Sequence, residues 1–179
     1  MASNQASERA FLQSLSLQAM IKTYSRGDYL IREGQVEQHV YIIESGAVRI
    51  FHVSEFEEQT IRFGYEGSII TSLSSFITGK PSELFIEALR KTTVKLLSKT
   101  QLYEVVNSSA DYLLQYTKML ESLVVQQMER EIDLLTESPA KRLKRVLERS
   151  PDLFQQVPLK YIASYLRMTP ETLSRVQNS

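Results

Sequence analysis

The sequence predicts an α+β protein in which an antiparallel β-barrel comes first, a long helix follows, and a small helical unit ends the chain. Three observations carry this. All six glycines, Gly27, Gly34, Gly46, Gly64, Gly67 and Gly79, fall within the first 80 residues and punctuate short β-branched and aromatic runs. From Ala110 to Thr136 there is neither Gly nor Pro, and apolar residues recur at a helical period. Beyond that stretch two prolines each follow a hydroxyl side chain, at Ser138-Pro139 and Thr169-Pro170, which is how helices start.

Taken in order, Phe11, Leu12, Leu15 and Ile21 fit a short amphipathic helix able to pack on the barrel. The strands read as Tyr29-Leu30-Ile31, Val40 to Ile43, Val48 to Phe51, Thr60 to Phe63, Leu84 to Ile86 and Val94 to Leu97. Glu44-Ser45-Gly46-Ala47 joins two of them as a tight hairpin, with Gly46 supplying a positive φ. In the long helix Leu113, Tyr116, Leu120, Val124, Met128 and Leu135 keep close to a 3.6-residue repeat over about 40 Å. Tyr112, Met119, Leu123 and Val125 widen the apolar surface to a second flank, which predicts pairing with the same helix of a second chain. The tail reads as helices over 139–149, 159–166 and from 170 onward. These boundaries divide the chain into a barrel (1–109), a dimerisation helix (110–136) and a short, truncated-looking tail unit (137–179).

Composition bounds the function. The 179 residues include 21 basic, 21 acidic and 42% hydrophobic ones, enough for a soluble chain with real cores. With no cysteine, disulfides, thiolate zinc sites, iron–sulfur clusters and a Cys nucleophile are excluded. Two isolated histidines, His39 and His52, cannot build a multi-His metal site, so no metal is expected. No Ser-His-Asp set or phosphate-binding glycine loop is present, and the chain does not read as an enzyme. Met1 to Arg9 lacks a secretory pattern and no stretch approaches the roughly 18 apolar residues of a membrane span, so the chain reads as cytoplasmic and free of membrane. The zero net charge hides an asymmetry: residues 1–136 hold 13 basic and 17 acidic groups, the last 43 residues eight and four. A basic tail suggests a polyanion partner, although Lys141 to Arg149 equally suits the solvated face of a helix.

Two short tail helices joined by Arg167-Met168-Thr169, with Ile162, Ala163 and Leu166 facing Leu173 and Val176, match a helix-turn-helix. The segment from Val157 to Arg175 resembles the winged helix-turn-helix of the Crp/Fnr superfamily of bacterial transcription regulators. Upstream, Arg26 to Gln35 and Val40 to Ile50 look like the opening of that family's cyclic-nucleotide-binding-like jelly-roll barrel. The resemblance implies a homodimer paired through 110–136, double-stranded DNA as partner and RNA polymerase as a further one. It places the start of the recognition helix at Thr169 and the base-reading positions at Pro170, Glu171 and Arg175. A carboxylate can accept from cytosine N4 and a guanidinium can donate twice to guanine, whereas Pro170 cannot read a base. Lys160, Thr169, Thr172 and Ser174 are the phosphate-contact candidates. Arg167 stands where many relatives have Gly, and a left-handed backbone there costs roughly 1–2 kcal/mol.

Relatives that bind cyclic nucleotide use Gly-Glu for the ribose and Arg-Ser for the cyclic phosphate. Counted from Gly67, those places fall on Thr71-Ser72 and Ser82-Glu83. Without the arginine, and with an acid beside the phosphate position, cyclic AMP is expected not to bind. Hydroxyls at Ser68, Thr71, Ser72, Ser74, Ser75, Thr78 and Ser82 could serve another effector, with Lys80 as the nearby cation, or form a polar loop with none. The competing reading of the whole chain is a dimeric ligand- or partner-binding barrel whose degenerate helix-turn-helix does not bind DNA.

Overall fold

The computed structural model describes residues 2–55 and 57–178, with side chains from Ser7 onward. Helix α1 (Ala2–Gln18) leads into strands β1 (Met20–Tyr24), β2 (Tyr29–Ile31), β3 (His39–Ser45), β4 (Ala47–Val53), β5 (Glu58–Tyr65) and β6 (Ile69–Ile70). Helix α2 (Leu73–Thr78) precedes β7 (Phe85–Ala88) and β8 (Thr92–Ser98). Then come α3 (Lys99–Asn107), the long α4 (Ala110–Leu135), α5 (Pro139–Arg149), α6 (Leu153–Gln156), α7 (Leu159–Tyr165) and α8 (Pro170–Gln177).

The strands make two antiparallel four-stranded sheets, ordered β1-β8-β3-β6 and β2-β7-β4-β5. Their inner faces meet through Tyr24, Ile31, Tyr41, Ile43, Val48, Ile50, Ile86 and Val94, a jelly-roll core. The sheets remain separate ladders among the described residues, so the predicted barrel is not closed.

Two local expectations change. Gly46 does have φ +99°, but β3 and β4 do not pair: each lies in a different sheet, so the turn is a corner between sheets and not a hairpin. A Cβ at Gly46 would stand 2.4 Å from Thr92 Oγ1, and that close approach demands glycine independently of φ. Ile21 belongs to β1, which pairs with β8 from Met20 opposite Leu96 to Tyr24 opposite Thr92, so the N-terminal helix stops before it. Phe11 and Leu15 of that helix do pack on the β-domain, with Val40, Leu97, Leu102 and Val106.

Helix α4 has two apolar flanks, but they divide differently from the expected division: Tyr116 and Leu120 turn inward with Tyr112, Met119 and Leu123, and Val125 turns outward with the others. Tyr112, Tyr116, Met119 and Leu123 are half-buried toward the chain's own domains, while Leu113, Val124, Met128 and Leu135 are 50–78% exposed. Within the tail unit, Leu143, Val146, Leu153, Ile162, Ala163, Leu166 and Leu173 form one core, and Ala163, 1% exposed, lets its helices cross closely.

Candidate nucleic-acid interface and effector cavity

The helix-turn-helix is built by local chemistry. Thr169 caps α8, its Oγ1 accepting from the backbone N–H of Thr172 at 3.2 Å, and Pro170 follows at the first helical position. Ser138 caps α5 in the same way, accepting from Lys141 N–H. The turn between α7 and α8 places Arg167 at φ +53°, the left-handed conformation. Arg142 reaches across from α5 and donates to the carbonyls of Leu166, Arg167 and Thr136, which satisfies the exposed end of α7. Along α8, Leu173 is fully buried while Glu171, Ser174 and Arg175 are exposed and Thr172 half-buried. The Glu171 carboxyl is held below its ordinary value by its own backbone N–H and by the Thr169 hydroxyl, and it stays ionised at the helix start.

The tail unit sits on the β-domain. Strand β5 is a sheet edge, and Ser164 of α7 closes it: its Oγ accepts from Thr60 N–H at 2.9 Å and donates to the Glu58 carbonyl at 3.0 Å. Phe63 packs on Tyr165 with ring centroids 5.3 Å apart, and the Arg49 guanidinium lies 4.1 Å from the Tyr161 ring. Behind it, α5 is tied to α4 by Asp133, fully buried, which accepts from Arg145 Nε at 2.9 Å and from Arg149. Arg142, Arg145 and Arg149 are therefore engaged in contacts within the chain, and Arg167 Nη1 stands 3.9 Å from Glu57 Oε1, a use of the tail cations that composition does not distinguish from a polyanion surface.

Between the inner side of β5, the β6–α2 segment, α4 and the tail unit lies a cavity of about 1320 Å³. Gly67 and Thr71 line it, as do Ile50, Phe63, Leu84, Leu120 and Leu123.

Three solved structures share this arrangement. FixK2 from Bradyrhizobium japonicum superposes with a TM-score of 0.77 at 21% identity, over 89% of this chain and 83% of that one. A CooA mutant from Carboxydothermus hydrogenoformans gives 0.74 at 20%, over 92% and 77%. CLP from Xanthomonas campestris, described as a c-di-GMP-responsive global regulator of virulence gene expression, gives 0.71 at 15%, over 95% and 90%. No curated protein matches by sequence. The family model that does match is the cyclic nucleotide-binding domain, over residues 21–109. Residues 21–109 form a cyclic nucleotide-binding domain, and the chain as a whole shares the fold of FixK2 and CooA.

Of the five residues expected at the pocket of this cyclic nucleotide-binding domain, Gly67 and Thr71 line the cavity, and Ser72, Ser82 and Glu83 do not. Thr71 Oγ1 donates to the His39 carbonyl at 2.8 Å. Ser72 and Ser82, 1% and 3% exposed, bond to each other at 2.8 Å, and Ser82 also donates to the Leu84 carbonyl. Glu83 is exposed and does not line the cavity. Lys80, expected as the nearby cation, is likewise exposed and outside the lining, whereas Arg62 of β5 and Arg130 of α4 are inside it. Sequence reasoning missed both. Arg62 was one unit of a strand-like alternation, yet it pairs with Ile50 of the inner face, and that register alone would have pointed it inward. At the interface, Lys160 is exposed with its Nζ 4.6 Å from the Tyr161 ring. No described helix is long and apolar enough to cross a membrane.

Proposed function

We propose that this chain is a homodimeric, DNA-binding transcription regulator whose β-domain does not take cyclic AMP. The observation that carries it is the division of α8: Leu173 is anchored in the core while Glu171, Ser174 and Arg175 are exposed on the opposite side, the face a recognition helix turns to a major groove. In this reading Glu171 and Arg175 read bases, and Lys160, Thr169, Thr172 and Ser174 hold phosphates. The outward stripe of α4, Leu113, Val124, Met128 and Leu135, pairs with its copy and sets the two reading helices about one duplex turn apart. Cyclic AMP does not fit. Its phosphate would meet Ser82, already committed to Ser72 and Leu84, and no arginine stands at either of the two positions 82 and 83.

The internal commitment of Arg142, Arg145 and Arg149 favours a second reading, a dimeric binding protein that does not touch DNA. A gel shift under excess nonspecific competitor separates the two. If each half engages about three phosphates, the regulator gives a logarithmic salt slope near −5. Arg175→Ala then loses roughly 1–3 kcal/mol at one base position per half-site, while uniform loss on all sequences would reduce Arg175 to a backbone contact.

A further inference from the structure

The docked tail unit brings the turn of its helix-turn-helix against the hairpin between β4 and β5. Ser164 bonds the edge of β5, and three residues further on the left-handed Arg167 places its Nη1 3.9 Å from Glu57 Oε1. The hairpin is closed on itself: Ser54 N–H donates to the Glu57 carbonyl at 3.0 Å, Glu57 N–H donates to Ser54 Oγ at 3.3 Å, and Gln59 Nε2 donates to Glu57 Oε1 at 2.6 Å. Glu55, Glu57 and Glu58 are all exposed on it. The turn is fastened from the other side, where Arg142 donates to the carbonyls of Leu166 and Arg167. The backbone on both sides of the contact is thus held in place while the tail stays docked.

The charges at this contact favour acid. Arg49, 4% exposed, answers two carboxylates, Glu58 and Glu87, each at 2.6 Å. Arg167 stands against Glu57, and Lys160 adds a cation beside the Tyr161 ring. Four acids, Glu55, Glu57, Glu58 and Glu87, therefore meet three cations at the place where the regulator reading calls for a surplus of positive charge. DNA phosphates lie next to the start of a recognition helix, and Arg167 is two residues before the cap Thr169. Repulsion between exposed charges reaches about 10 Å at 0.1 M salt, so a phosphate at that place meets the field of the hairpin carboxylates. We propose that the β4–β5 hairpin is an intramolecular competitor of DNA: its carboxylates engage Arg167 and repel the phosphate that would replace them, so the docked chain holds nucleic acid weakly. This inference rests on the regulator reading. It is separate from the cavity, which none of Glu55, Glu57 and Arg167 lines.

The test is fluorescence anisotropy of a labelled random-sequence duplex of about 30 base pairs titrated with the full chain, since the repulsion does not depend on base sequence. Glu55→Gln combined with Glu57→Gln keeps the acceptor used by Gln59 and should raise affinity at least about fivefold at about 0.05 M salt, with the gain at least about halved at about 0.2 M. Glu33→Gln combined with Glu104→Gln makes the same change of net charge at exposed positions before β3 and on α3, and should alter affinity less than about twofold. A gain matched by this control pair would reduce the effect to net charge, and a gain undiminished at about 0.2 M salt would place it outside electrostatics. Either result overturns the proposal, as does no gain at all, and each leaves the regulator reading standing because the wild-type chain has bound. Binding by the hairpin variant where wild type shows none is the predicted result in its extreme form. If neither binds duplex up to about 0.1 mM, the regulator reading and this inference fall together.

Discussion

Replacing Ser164 by alanine should loosen the tail unit from the β-domain without unfolding either. The hydroxyl makes two bonds to the outer edge of β5, from Thr60 N–H at 2.9 Å and to Glu58 O at 3.0 Å, and Thr60 is 1% exposed. Each such bond contributes about 1 kcal/mol net, and the alanine methyl leaves a poorly hydrated N–H behind, so the docked arrangement should lose about 2 kcal/mol. That is roughly a 30-fold rise in the population of the undocked form. Amide hydrogen exchange reads it directly. Thr60 and residues 159–166 should exchange about 30-fold faster in the variant, while the paired amides of β3 and β8, in the other sheet, keep their wild-type rates. A uniform acceleration across both sheets would mean that Ser164 supports global stability only. No acceleration at Thr60 would mean that the aromatic contacts at Phe63 and Tyr165 dock the unit unaided.

Three other expectations follow from single sites. Arg167→Gly relieves a left-handed backbone at φ +53°, a gain of roughly 1–2 kcal/mol partly offset by the 0.5–1 kcal/mol that glycine's freedom costs in the unfolded chain, so a thermal melt should show equal or higher stability; a clear loss would show that the Arg167 side chain has a structural role. Val124→Glu with Met128→Glu places charges on the outward face of α4, where both residues are about 60% exposed, and sedimentation equilibrium should change from dimer to monomer with the circular dichroism spectrum intact. Glu37 is 2% exposed, and burial holds its carboxyl above the ordinary value of 4.5. A raised value means that the contribution of this group is full below 4.5 and is lost as pH rises through the native value. Glu37→Gln, which keeps the acceptor used by Gln38, His39 and Tyr41, should therefore melt higher than wild type at pH 7.5 and coincide with it in acid; the opposite pH trend would place the ionised carboxylate among the stabilising groups.

Much of this architecture was legible because it is locally encoded. The caps at Ser138 and Thr169, the gap-free helix from Ala110 and the alternation through Val48 to Phe51 each state their element within a few residues. The capping box of α3, Ser98 with Gln101, is equally visible in Ser-x-x-Gln. What was hidden depends on distant partners. Strand β1 has four exposed residues of five and no clean alternation, and only its ladder with β8 some 70 residues on makes it a strand. Gly46 announced a turn but not that the chain changes sheet there. In the candidate site, the exposure of Glu171 and Arg175 on α8 was readable from the helix period, because Leu173 fixes the buried side. The contact of Arg130 with Tyr165, 35 residues on, and the use of Ser164 to close a sheet edge 104 residues before it arise between distant segments, and no local pattern records them.

The measurement that bears most directly on the account is selection of bound sequences from a random double-stranded DNA pool by the full-length chain. Two inverted half-sites centred about 34 Å apart should be enriched, with information concentrated where Glu171 and Arg175 would reach, and the Arg175→Ala variant should lose one position of each half. A pool that returns no sequence preference, or binding by one chain at a time to single half-sites, would contradict it.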